Sequence, residues 1–334
     1  MSNGVSIIIT CYNLGSYIGE AVESVLLQKY NDPFEVIVVD DCSTDKSADI
    51  IKSYSSVRYI KTPVNTGVLL ATVAGIEYSS GNILCFLDGD DLWDPSKLSE
   101  VVKCFENNSH LALVTHDLKY INSLGLEINK NSRPEEAMSP VRVSSESRMI
   151  QNGILLHLDY VWLGSAYAVH RKLGNVDAFC AYIKKLPDPV NTYQDWPLAF
   201  WVSCQKNLRF GYVHKKLFSY RIHRSNYSGD ASTVEKALRN IKKTLNTMQA
   251  IIDIGLYFQI DAHVLKANKQ VLNYNEYLYS LYKGYRLRSF VGLFVNLFYL
   301  LRQPKFFFKE IVRFCIVQLL GVDCFIRFAK LRKS

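Results

Sequence analysis

The chain has 334 residues, of which 49% are hydrophobic and 21% charged, enough apolar material for a packed core and too much for wholesale disorder. Its formal net charge of +8 leaves three kinds of partner open: nucleic acid, an anionic membrane or an anionic substrate. The eight cysteines include no C-x-x-C pair and no finger-like partner histidines, so a structural zinc site is excluded by pattern and reduced core thiols are expected.

The first apolar run, VSIIIT, predicts a buried strand, and GSYIGEAVESVLLQ carries Ile18, Val22, Val25 and Leu26 at helical spacing. FEVIVVD predicts the second strand. STDKSADIIKSY follows as a helix with Ser43 or Thr44 as its cap, and VRYIKT is the third strand. TGVLLATVAGIEYSS reads as a helix and NILCFLD as a buried strand. DPSKLSEVVKCFEN is a helix with proline near its first turn, and LALVTHD another strand. From about 120 to 160 the pattern weakens into polar loop. YVWLGSAYAVHR then predicts a strand and YQDWPLAFWVSC a helix. Beyond about 230 the periodicity is helical throughout. This alternation predicts an α/β fold with parallel strands joined by helical crossovers.

In an open parallel sheet, ligands sit beyond the carboxyl ends of the strands. Here three such ends are polar or acidic: TCYN after the first strand, DDCSTD after the second, and DGDD after NILCFLD. Three carboxylates within four positions repel one another and resist desolvation, which makes a divalent cation their natural partner. The histidines His110, His116, His157, His170 and His214 form no ligand spacing with one another and are read as structural.

These residues resemble the nucleotide-sugar-dependent glycosyltransferases of family 2. The resemblance rests on VSIIITCYN, LLQKYNDPFEVIVVDDCSTD, NTGVLLATVAGIEYSSGNILCFLDGDDLWDPSKL, YQDWPLAFW and YRIHRSNYS, in order, over residues 4 to 228. It implies a GT-A fold, Rossmann-like, with a mostly parallel central sheet flanked by helices, and inverting transfer of a hexose or N-acetylhexosamine from a nucleotide sugar, with UDP as the default carrier. By position it assigns Asp41 to the nucleotide base, with Thr10, Tyr12 and Asn13 lining the pocket. Asp40 and Asp41 can equally be read as helix caps. DGDD matches the family's D-x-D element, so Asp90 and Asp91 are expected to hold Mn²⁺ or Mg²⁺, while Asp88 orients the loop or reaches the donor ribose. Trp93 and Pro95 are read as structural.

The resemblance further implies Asp195 as the general base for the acceptor hydroxyl; on its own it also reads as a first-turn residue favoured by the helix dipole. Gln194 stands where the family carries glutamate. Arg221 is placed near the diphosphate, and His223 either there as a metal ligand or as a satisfied buried side chain. One departure lies in VLLATVAG, where an arginine and an asparagine are common and Leu70 to Ala74 supply neither. The rival classes are weaker. A receiver module carries its acidic pair after the first strand, not the second, and a haloacid-dehalogenase phosphatase wants Thr or Val where Leu92 stands. An inactive GT-A scaffold is opposed by the intact Asp41, Asp90, Asp91 and Asp195. Nucleic acid is supported by charge alone.

Two domains are expected, a GT-A domain over 1–230 and a basic helical region over 231–334. From residue 286 on, short Phe- and Leu-rich runs alternate with Arg286, Arg288, Lys309, Arg313 and Arg327, opposed there only by Glu310 and Asp323. Such a composition suits interfacial helices on an anionic bilayer. Only MSNG precedes the first strand, and no apolar run reaches the roughly 20 residues of a spanning helix. The expected location is cytoplasmic, peripheral on the inner face of the plasma membrane, with a surface or lipid-linked glycan as acceptor.

Overall fold

A computed structural model describes residues 4–128, 141–144, 163–223, 233–297, 301 and 304–331. The chain divides into two compact units, Met1–His223 and Arg224–Ser334.

The first unit is built on a mixed sheet. Its strands are β1 (Val5–Cys11), β2 (Phe34–Asp40), β3 (Val57–Lys61), β4 (Ile83–Asp88), β5 (Leu92–Trp93), β6 (Leu111–Ile121), β7 (Val141–Ser144), β8 (Ala168–His170) and β9 (Arg209–Arg221). They lie in the order β3-β2-β1-β4-β8-β6-β9-β5, with β7 on β9. The first four are parallel, whereas β8 runs antiparallel to both β4 and β6. Every residue of β1 is buried, as expected of a parallel strand covered on both faces.

The crossover helices explain the apolar spacing. In α1 (Ile18–Leu26) the buried residues are Ile18, Ala21, Val22 and Val25. With α2 (Ser47–Lys52) and α4 (Lys97–Asn107) they meet Ile7, Ile9, Val36, Val38, Cys85 and Leu87 on one side of the sheet. On the other side α3 (Val68–Glu77) lies against Ile37 and Val39. Alternate residues of a strand thus serve opposite layers. Two more helices, α5 (Val176–Ile183) and α6 (Asp195–Ser203), precede β9.

Several local expectations are corrected. Neither Ser43 nor Thr44 caps α2: Asp45 accepts from Ser47 N and Ser47 Oγ, because the Ser43 hydroxyl is taken by Asn13 N. The strand read as LALVTHD runs on to Ile121. In YVWLGSAYAVHR only Ala168–His170 is a strand and Gly164–Ala166 forms a 3-10 turn, while residues 160–162 lie outside the described part.

The second unit consists of α7 (Val234–Tyr257), α8 (Ala262–Tyr282), α9 (Arg286–Val295), α10 (Pro304–Leu320) and α11 (Val322–Leu331) among the described residues. Thr233 Oγ1 caps α7 by accepting from Lys236 N, and the Asp261 carboxylate caps α8 by accepting from His263 N. Tyr277, Leu281 and Val317 form a small core with Leu293, Phe314 and Phe325. Among the described residues no helix is long and apolar enough to cross a membrane.

Candidate active site

The acidic turn begins where β4 ends beside β1, with Asp88 in register with Thr10. Gly89 N donates to Thr10 O and Asp91 N to Asp88 O, which folds the four residues tightly. Their carboxylates then diverge. Asp90 is partly exposed, and its Oδ2 lies 2.9 Å from Nε2 of His223. The imidazole is held from behind by Tyr17, whose ring centroid is 4.6 Å away.

Asp91 turns into the protein. Its two oxygens accept from Ser165 Oγ at 2.7 Å and Arg221 N at 2.9 Å. Burial first, and then the charges of Asp90 and Asp88, push its carboxyl well above the usual range. Arg221 is fully buried as well. Its guanidinium donates to Asp90 O, Ser123 O and the Glu20 carboxylate, and it stacks on Tyr17. Asp91 and Arg221 therefore brace the turn from inside, and Asp90 and His223 are the pair it presents.

Beneath the turn lies Ser165. Its hydroxyl accepts from Asp88 N at 3.0 Å while donating to Asp91, and its carbonyl accepts from Lys97 Nζ. Lys97 is wholly buried, with its ammonium 4.1 Å from the centroid of the Trp93 ring, and burial draws its pKa down to about 7. Lys97 thus supports Ser165, and through it the acidic turn, from within the core.

The ends of β1 and β2 are laced together. Asn13 N donates to Ser43 Oγ, Asn13 Oδ1 accepts from Thr44 N, and Gly15 N donates to Asp45. Tyr12 remains 45% exposed and free to lie against a flat ring. Asp41 is buried, and its Oδ1 accepts from Thr62 Oγ1, Thr66 N and Thr66 Oγ1, its Oδ2 from Gly67 N. A carboxylate has about four acceptor sites, so these four donors hold Asp41 firmly in place. Gly67 has φ +80°, and a Cβ there would stand 2.2 Å from Val190 O. The Asp41 clamp therefore also seats the segment that leads to α6. Asp40 acts locally, accepting from Ser43 N and the Tyr59 hydroxyl.

That segment brings Gln194 and Asp195 to the turn. Gln194 Nε2 donates to Asp88 Oδ1 at 2.6 Å, and its Oε1 meets the Thr72 hydroxyl. The position without the family's glutamate thus touches VLLATVAG, the stretch without its arginine. Asp195, the first residue of α6, is 8% exposed. The neighbouring Tyr167 hydroxyl is fully buried with no hydrogen-bond partner, in the field of Asp195 and Asp88.

Thr10, Asp88, Asp90, Asp91, Arg221, His223 and, through Gln194, Asp195 are brought to one place, while Tyr12, Asn13 and Asp41 shape the adjoining strand ends. Sequence reasoning missed Ser165, Glu20 and Tyr17, for which no local signal exists. Lys97 did leave one, since it falls on the buried stripe of α4 with Leu98, Val101 and Phe105. Among the described residues no three or more His, Cys, Asp or Glu side chains are grouped to hold a metal. One carboxylate and one imidazole suit a divalent ion that completes its coordination with phosphate oxygens and water, so the donor set fits Mn²⁺ or Mg²⁺.

Residues 6–164 match the family model described as glycosyl transferase family 2. An uncharacterized glycosyltransferase of Nostoc sp. is 36% identical over 116 residues, 34% of this chain and 36% of that protein. TuaG of Bacillus subtilis, named as a teichuronic acid biosynthesis glycosyltransferase, is 37% identical over 100 residues, 29% of this chain and 39% of that one. The chain thus spans well under half the length of these two relatives. Staphylococcus aureus TarS, residues 1–349 in complex with UDP-GlcNAc, shares the fold at TM-score 0.55 and 16% identity, over 86% of this chain and 88% of that one.

Proposed function

We propose, from the premise that residues 6–164 belong to glycosyl transferase family 2, that the chain transfers a hexose or N-acetylhexosamine from a nucleotide sugar to a hydroxyl of a surface-polysaccharide or lipid-linked glycan, with inversion. The observation that carries this reading is the convergence of three distant stretches on the acidic turn: Asp88–Asp91, Gln194–Asp195 and Arg221–His223. TarS with UDP-GlcNAc and the name of TuaG support a UDP-sugar donor and a cell-surface polymer as acceptor.

In this reading Tyr12 lies against the base and Asp41 is the carboxylate assigned to it, which would accept the imide N–H of uracil or thymine. Asp90 and His223 would hold a divalent cation, which when bound offsets charge gathering on the leaving diphosphate. Asp91 and Arg221 keep Asp90 aimed. Asp195 takes the proton of the acceptor hydroxyl as its oxygen forms the bond to the anomeric carbon, and the bond from that carbon to the diphosphate oxygen breaks on the opposite face. One displacement with one base inverts the anomeric centre. The C-terminal unit is assigned to contact with an anionic membrane surface.

Calorimetric titration of UDP with Mn²⁺ tests the site. Wild type is expected to bind and to lose binding with chelator or in Asp90→Ala, whereas Asp195→Asn should bind as wild type and lose transfer by about 10²–10⁴-fold. Failure of wild type to bind any of UDP, GDP and dTDP would overturn the reading.

A further inference from the structure

In a helix of a water-soluble unit, large apolar side chains face inward and polar ones outward. Helix α9 is arranged the other way. Ser289 and Asn296 are buried, and Gly292 lies so close to α8 that an added Cβ would come within 3.0 Å of the Tyr277 Cβ. The buried polar groups are paired: Gln318 Nε2 donates to Ser289 Oγ, and Asn296 Nδ2 to Gly292 O. Leu287, Phe290, Val291 and Phe294 stand outward at spacings of three and four, each more than half exposed.

Helix α10 turns Val317 and Phe314 to the small core but shares part of this pattern. Its buried side carries Glu310, ion-paired with Arg313 at 3.2 Å, and Arg313 also donates to the Tyr274 hydroxyl. Phe308, Val312 and Leu319 are exposed at 68%, 53% and 80%. Small and polar residues inside with large apolar ones outside is the packing logic of helices whose surroundings are hydrocarbon. At ten residues, about 15 Å long, α9 cannot span a bilayer.

We infer that the outward faces of α9 and α10 are a lipid-docking surface, seated in one leaflet at the level of the headgroups and first acyl carbons of an anionic membrane. This deepens the membrane contact proposed above and rests on it. Charge selects the occupant. Lys283, Arg286, Arg288, Lys309 and Arg327 lie exposed around these faces, with Glu276 and Asp323 as exposed acids beside them, so the fringe is basic on balance. An anionic leaflet complements that fringe, and a second copy of the chain would bring the same positive charge against it.

The test is co-sedimentation of the full chain with phosphatidylcholine vesicles, with and without about a third phosphatidylglycerol. Wild type is expected to sediment with the anionic vesicles. Phe290→Ser combined with Phe294→Ser should weaken binding at least about tenfold, since two aromatic contacts with lipid are lost, with UDP binding and helical content by circular dichroism unchanged. Arg286→Ala with Arg288→Ala should reduce the preference for the anionic lipid. If wild type stays in the supernatant, the membrane contact itself fails, and this surface with it. If wild type binds and the phenylalanine variant binds equally, membrane contact stands and this surface is overturned. A dimer that the variant converts to monomer, with no vesicle binding, gives the face to a second copy instead.

Discussion

The Gln194 amide donates to Asp88 while its oxygen meets the Thr72 hydroxyl, so a neutral side chain links α3, the acidic turn and the start of α6. Glutamate in its place would remove the donor and set a second carboxylate against Asp88. Gln194→Glu is therefore expected to lower stability near neutral pH by about 1–3 kcal/mol in urea unfolding, the range for a buried group left unsatisfied. The deficit should shrink on acidification, because a protonated carboxyl can donate to Asp88 again. A deficit independent of pH would show that the lost contact is not this hydrogen bond. At this scale chemistry that repeats in a short window is legible, as in the acidic pairs at Asp40–Asp41 and Asp90–Asp91, whereas Asp195 is singled out only by the family resemblance. Arg221 and Asp91 were legible as members of the site but not as its internal braces. Their partners lie far away in the chain, Ser165 74 positions after Asp91 and Arg221 201 positions after Glu20.

Between elements, Glu35 of β2 is the staple. Its carboxylate accepts from Ser6 Oγ of β1 and from both the backbone N and the hydroxyl of Ser80, in the turn before β4. Burial alone would raise its pKa, but these hydrogen bonds outweigh burial and hold it below its ordinary 4.5. A pKa lowered by folding contributes stability that is present above the unfolded value and is lost as pH falls through the folded one. Between about pH 6 and about pH 3 the wild-type melting temperature should therefore fall more steeply than that of Glu35→Gln. Parallel slopes would mean that the staple does not depend on the charge. The strands it joins were the most legible elements, since buried parallel strands are unbroken apolar runs with turn residues on either side. β8 was legible as a strand but not in its length, because three paired residues carry no period to bound it, and the turn before it is shaped by the need to seat Ser165 under Asp88. The C-terminal helices were legible as helices, but not their inverted faces: a sequence period gives a stripe without saying which side is covered.

At the scale of the whole molecule, each unit closes a core of its own. One lies between the sheet and α1, α2 and α4, the other around Tyr277, Leu281 and Val317. Units with separate cores can unfold as separate cooperative steps. Calorimetry is expected to show two transitions, and ligands should assign them. On the proposed function UDP with Mn²⁺ binds the first unit, so at a hundredfold excess over Kd it should stabilise that unit by about 2.7 kcal/mol and leave the other transition in place. Anionic vesicles should move the other transition and leave the UDP-sensitive one where it was, because the proposed lipid contact lies on α9 and α10. Asp90→Ala should abolish the first shift and spare the second; Phe290→Ser with Phe294→Ser should do the reverse. If UDP raises both transitions together, the two units unfold as one, and occupancy of the donor site is then felt by the helices that meet the membrane.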